Sequence, residues 1–389
     1  MVHRTRFTRI AVVGVVAALM ATAAACGGDS DGDAASGGGG GGDDTLKIGV
    51  ALDLSGQAAF AGLQDREGME LAAEQIEESG MLGDRSLELV FVDMETDKDR
   101  AVAEIAKMTK DESFDAIIGP LSSSQGLATA PISQQAKVPT VLIHNDAAHP
   151  RLFGDYIFRI TPPATSIVPS VVENFSERGV ESVALVYDET NPTLVEVAEE
   201  VLPEEFEEHG MDVVYESTFQ ATDTDFAAMA TDIASRNPDG VGLLAAGAPN
   251  VTILKQLRER GYEGPIFAQN AATVFKDVGA DADGTIWATY FDSSSELQSV
   301  QDFISSYEEA KGTPPNQFNA SGFDAVWLIA LAAQAGGDGR DGIKKGLDEV
   351  TAEGFEGAQG ALTFEERDAR VDPTVWQISG GTEGPYTAG

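Results

Sequence analysis

Two α/β lobes, each a parallel sheet covered by helices on both faces, are predicted by three features of this sequence. From Leu46 onward, apolar runs of strand length alternate with helical patterns. The runs are apolar throughout, as strands buried on both faces of a parallel sheet must be. The alternation fills two blocks, residues 45–160 and 161–290, and strict strand–helix alternation demands crossover connections and hence parallel pairing.

In the first block, residues 46–52 (LKIGVAL) form a strand, and residues 66–78 place Met69, Ala72, Ala73 and Ile76 at helical spacing. Strands follow at 87–92, 116–118 and 138–143, with helices at 100–108 and 125–135. In the second block, strands fall at 182–187, 212–217, 240–245 and 265–268, with helices at 194–208, 226–235 and 251–260. Residues 291–389 carry two long helical patterns, 297–311 and 320–335, and few strand signals. They are expected to complete the two blocks: lobe 1 from 45–160 plus 291–358, lobe 2 from 161–290 plus 359–389. Ligands of doubly wound sheets bind outside the carboxyl ends of the strands. Here two such ends would face each other across a cleft.

The N-terminus reads as an export signal. Arg4, Arg6 and Arg9 precede the apolar run of residues 10–20, and small residues lead to Cys26. That run is shorter than the ~20 residues a transmembrane helix needs. A cysteine directly after Ala23-Ala24-Ala25 resembles the lipobox of bacterial lipoproteins, although Ala23 stands where the motif usually has Leu. It implies a lipid on Cys26 and a protein anchored to the outer side of the cell membrane; the plainer alternative is ordinary signal cleavage that leaves a free thiol. Residues 27–44 hold no apolar residue larger than alanine, so they suit a disordered tether with a span of roughly 23 Å.

Composition excludes several functions. Cys26 is the only cysteine in the 389 residues, which rules out a disulfide framework and a thiolate metal site. His3, His144, His149 and His209 show no metal-ligand spacing. The net charge of −39 becomes −42 once the leader, with three arginines and no acid, is removed, and such a field repels nucleic acid. No G-x-S-x-G elbow, His–Glu metal motif or Walker loop is present, and no G-x-G-x-x-G follows the first strand. An enzyme is therefore not expected, nor a metal or a cofactor.

Three strand-end loops carry chemistry. In residues 117–126 (IIGPLSSSQG) a buried strand ends at Gly119-Pro120 and three serines open a helix. Ser122, Ser123 and Ser124 could cradle a carboxylate or other polar head with hydroxyls and free N–H groups, or simply cap the helix. In residues 138–150 (VPTVLIHNDAAHP), Asp146 could hold a cation or an ammonium, or shape a turn. In residues 51–62 (ALDLSGQAAFAG), Phe60 could stack on a ligand or belong to the core.

These segments stand in a telling order: LSGQAAFAG, VDMETD, IIGPLSSSQ, VPTVLI, YIFRITPP, VALVYD, NPDGV and GFDAVWLIALAA. Together they resemble the type I periplasmic binding fold in its branched-chain amino-acid-binding family, over about residues 45–380. The resemblance implies two Rossmann-like lobes with parallel sheets, joined by three crossovers near 159–162, 287–291 and 355–361, that close on a ligand. It implies a carboxylate held by Leu121, Ser122 and Ser123, and a second loop at Asp146, Ala147 and Ala148. Four departures follow: Ala148 replaces a threonine, Ala61 a tyrosine, Asn270 the ammonium-binding acid, and Pro192 an aromatic residue. An unpaired buried ammonium costs several kcal/mol, so an ordinary α-amino acid is disfavoured unless Asp146 or Asp188 supplies the charge; amides, ureas, aromatic acids and short peptides are all compatible small polar ligands. The expected function is solute capture for an ABC permease by a monomer; the alternative is a lipid-tethered ligand sensor for a membrane receptor.

Overall fold

The computed structural model describes residues 45–147, 149–245, 247–268, 275 and 278–386. Two sheets organise it. The first is opened by β1 (Thr45–Leu52), α1 (Ala59–Ser79), β2 (Ser86–Asp93), α2 (Lys98–Met108), β3 (Ala116–Ile118), α3 (Ser123–Ala136), β4 (Thr140–Leu142) and β5 (Ile157–Arg159). β1 lies between β2 and β3 in parallel register, Val50 opposite Phe91 on one side and Ile118 on the other. Ile48, Val50 and Leu52 are wholly buried, which agrees with an apolar strand covered on both faces. The chain then enters the second sheet through α4 (Ala164–Ile167) and α5 (Pro169–Glu177).

The second sheet holds β6 (Ser182–Asp188), β7 (Asp212–Phe219), β8 (Gly240–Leu244), β9 (Ile266–Ala268) and β10 (Thr285–Thr289). Their connections include α6 (Pro192–Glu196), α7 (Leu202–Glu208), α8 (Ala227–Arg236) and α9 (Ala248–Glu259). The helix expected over 194–208 is divided by a π-helical turn at Val197–Val201. Pro203, at the start of α7, explains the division. A proline inside a helix lacks its N–H and clashes with the carbonyl four residues back, here that of Glu199, and a wider turn relieves both.

The C-terminal third returns to both sheets. α10 (Gln298–Lys311), α11 (Gln317–Gly336) and α12 (Gly339–Glu353) lead to β11 (Phe355–Gly357), β12 (Gly360–Glu365) and β13 (Asp368–Arg370), then to β14 (Thr374–Ser379) and β15 (Thr382–Pro385). The first sheet runs β11-β12-β13-β5-β4-β3-β1-β2 and the second β15-β14-β10-β9-β8-β6-β7. Both are mixed rather than purely parallel, because these late strands join as antiparallel hairpins. β12 and β13 also correct the expected boundary at residue 358. They pair in the first sheet, since Asp368 sits beside Arg159, and the last crossover falls between Arg370 and Thr374 instead of at 355–361. The long helices of the first lobe pack at backbone distance: a Cβ on Gly322 of α11 would lie 2.1 Å from the Asp65 carbonyl of α1. Only glycine permits that approach.

Candidate functional site

The carboxyl ends of β1, β3 and β4 in one lobe and of β6 in the other converge. Gly119 ends β3 with φ +98, and a Cβ there would meet the Ala51 carbonyl at 2.0 Å, so the strand end requires glycine. Leu121 is then buried, and Ser122 takes the extended conformation of an N-cap residue for α3. Gln125 reaches back to accept the Ser122 N–H at 3.4 Å. The capping role considered for the serines is therefore real for Ser122. Ser123 and Ser124 occupy the first turn, whose N–H groups have no acceptor within the helix and attract anions.

Ser123 makes the contact that matters for closure. Its hydroxyl lies 3.1 Å from the Thr193 hydroxyl of α6, in the other lobe, and accepts the Ala147 N–H at 3.3 Å. Thr193 is itself placed by a cap: the Asn191 side chain accepts its N–H at 3.0 Å, and Pro192 presets the first helical turn. Two helix N-termini from the two lobes thus meet.

The remaining expected site residues divide. Phe60 is 59% exposed, not part of the core, and its ring meets the Phe318 ring edge-on at 5.8 Å. Asp146 is turned into the protein: its carboxylate accepts the Ala164 N–H at 3.1 Å, which ties it to the first crossover, and burial raises its pKa. Asp188 accepts the N–H and hydroxyl of Thr190 at 2.9 and 2.6 Å within its own loop. Neither acid stands free to meet an ammonium in the arrangement described. Ala148, Asn270 and Cys26 lie outside the described residues.

Behind this surface run three polar networks that sequence reading missed. The Gln125 amide donates to Asp53 at 2.9 Å while Asp53 also accepts the Thr96 N–H at 2.7 Å; burial raises the Asp53 pKa. Gln125 therefore joins the serine loop to the end of β1. His144, whose φ is +55, bridges Asp65 at 2.9 Å and the Tyr290 hydroxyl at 3.1 Å, with the Phe318 ring 5.0 Å away. Asp65 is fully buried, and desolvation raises its pKa against the pull of His144. The third network centres on Arg159, a wholly buried guanidinium. It donates to both Asp368 carboxylate oxygens at 2.6 Å and to the Asn145 and Asp146 carbonyls at 2.5 and 2.6 Å. His149 lies 3.3 Å from it and reaches across to Glu196 of the second lobe at 2.9 Å. Arg159 and Asp368 stand 209 residues apart, and no local sequence pattern reveals such a pair.

The loops at the carboxyl ends of the two sheets, bridged at Ser123–Thr193 and His149–Glu196, are arranged as in a clamp. The family model described as periplasmic binding protein matches residues 45–381. This chain belongs to the periplasmic binding protein family. It is a solute-binding protein rather than an enzyme. Similar proteins include the Leu/Ile/Val-binding protein homolog 7 of Brucella abortus, 24% identical over 338 residues, which are 81% of this chain and 84% of that one. A leucine-binding protein from Thermotoga maritima is 25% identical with a TM-score of 0.79, over 88% of this binding protein and 98% of the other. A solute-binding protein from R. palustris in complex with benzoate is 22% identical with a TM-score of 0.75, over 88% and 95%. Among the described residues of this binding protein, no helix is long and apolar enough to cross a membrane.

Proposed function

We propose that this binding protein captures a small organic acid between its lobes and delivers it to an ABC permease from a lipid anchor on Cys26. The observation that carries the reading is the Ser123–Thr193 contact at 3.1 Å, which sets a serine-rich helix N-terminus of one lobe against a helix N-terminus of the other. The Ser123 and Thr193 hydroxyls, with the Ser123 and Ser124 N–H groups that open α3, suit a carboxylate. Asp146 and Asp188 are engaged by their own surroundings, which favours a carboxylate without an α-ammonium, chemically nearer to the benzoate of the R. palustris relative than to leucine. Three chain crossings between the sheets supply the hinge, and the ligand selects the closed state through contacts made only there. The leader and the run into Cys26 support the anchor.

A thermal-shift panel of aliphatic and aromatic carboxylates, with leucine and isoleucine for comparison, tests the reading. A solute at a hundred times its Kd stabilises the folded chain by about 2.7 kcal/mol, and small-angle scattering should show compaction with the same compound. A panel in which no carboxylate raises the melting temperature removes the proposal. For the anchor, Cys26→Ser should move the protein from the membrane fraction to the soluble one.

A further inference from the structure

On the first lobe, away from the serine loop, α1, α10, α11 and β11 enclose a cavity of about 330 Å³. Its walls include Phe303, Phe323, Trp327 and Phe355, and three acids line it as well, the exposed Asp302 and Glu356 and the buried Asp324. Three of these rings form a continuous array, with Phe303 and Phe323 centroids 4.9 Å apart and Phe323 and Trp327 centroids 6.0 Å apart. Among the described residues no lysine or arginine lines the cavity or stands over these rings. The volume is at the lower end of the range for small-molecule sites.

Those properties specify an occupant. Aromatic faces attract cations through their quadrupoles, and most strongly when the cation is partly desolvated. Two exposed carboxylates at the same cavity add opposite charge without having been buried for it. An anion would meet repulsion from the acids that line the cavity. A neutral apolar molecule would use the rings but leave the acids idle. We propose that this cavity is a second ligand site, for a small organic cation with a flat apolar body. It is separate from the cleft and stands whether or not the cleft takes an organic acid.

The probe is phenethylammonium, titrated calorimetrically into the full chain, with 2-phenylethanol and 3-phenylpropionate as its neutral and anionic counterparts. Millimolar or tighter binding of the ammonium is expected, at least about tenfold tighter than either counterpart. Asp302→Asn with Glu356→Gln should weaken it about tenfold with the melting temperature unchanged, because both acids are exposed; loss of two charges among so many cannot do this through the general field. Phe355→Ala should weaken it too, and Ser123→Ala in the cleft should leave it unaltered. No heat with the ammonium, equal affinity for the alcohol, indifference to the double substitution, or loss of binding in Ser123→Ala would each overturn the proposal.

Discussion

Arg159 shows how a single residue ties distant segments together. Its guanidinium is wholly buried, and Asp368 is brought to it by the β5–β13 pairing. Breaking a buried pair by removing one partner is far more harmful than the pair's net worth suggests, because it strands a charge. Asp368→Ala should therefore lower unfolding free energy by about 3–5 kcal/mol in urea titrations. Arg159→Met combined with Asp368→Leu should cost clearly less than Asp368→Ala alone; an equal or greater loss would show that the charge pair itself, not the stranded cation, sets the penalty. Asp324 makes a complementary case. It is buried, its pKa is pushed up to about 6 chiefly by desolvation, and it accepts the Ala358 and Gln359 N–H groups at 2.7 and 2.9 Å. Asp324→Ala leaves both donors without their acceptor and should cost about 2–4 kcal/mol in the same assay. Of the site, the sequence made Ser122 to Ser124 legible because strand, Gly-Pro and serines are contiguous. Thr193, Glu196 and Asp368 were not legible, because only the tertiary fold brings them near.

At the scale of elements, what could be read was what depends on local pattern. The buried strands β1, β3, β6 and β8 stand out as short apolar runs, α10 as a periodic helix and α11 as a long, largely apolar one. The late strands β11 to β15 were hidden. They are short, and β11, β12, β13 and β15 hold glycine or charged residues, so neither an apolar run nor clean alternation marks them; β14, with neither, is too short to stand out. The missed boundary at 358 follows from this: hairpins that add to an existing sheet leave no βαβ signature. Gln125 links elements in a way open to test. It holds the Ser122 N–H and Asp53 together, so it fixes α3 against the end of β1. Gln125→Leu keeps the volume but leaves Asp53 short of a donor and the serine loop untied. Ligand affinity in the cleft should fall about tenfold, which is about 1.4 kcal/mol, while circular dichroism stays that of the folded protein. Unchanged affinity would detach this glutamine from the site.

For the whole molecule, closure and pH are coupled through His149. This side chain belongs to the first lobe and bonds Glu196 of the second at 2.9 Å. Its pKa is raised above 6.5 by Asp368 first and Glu196 next, and these outweigh burial and the nearby Arg159. A base whose pKa is raised on folding contributes stability that is fully present below the unfolded value and is lost as pH rises through the folded one. Asp368 works in the opposite direction. Its pKa is lowered below 3.8, with His149 and Arg159 overcoming desolvation, so its contribution is present above 3.8 and is lost as pH falls through the folded value. The cluster is thus at full strength between 3.8 and 6.5. Repulsion within a chain of net charge −39 also varies with pH, so the readout must be a difference between two proteins that share it. The melting temperature of the native chain should exceed that of His149→Gln by most near pH 6, and the gap should narrow as pH rises toward 8. Because the bond crosses the cleft, scattering should show the native chain opening over the same range, with His149→Gln already open at the lower pH. A gap that stays constant or widens with pH would mean that His149 is neutral in the closed form and that the bridge to Glu196 does not hold the lobes together by charge.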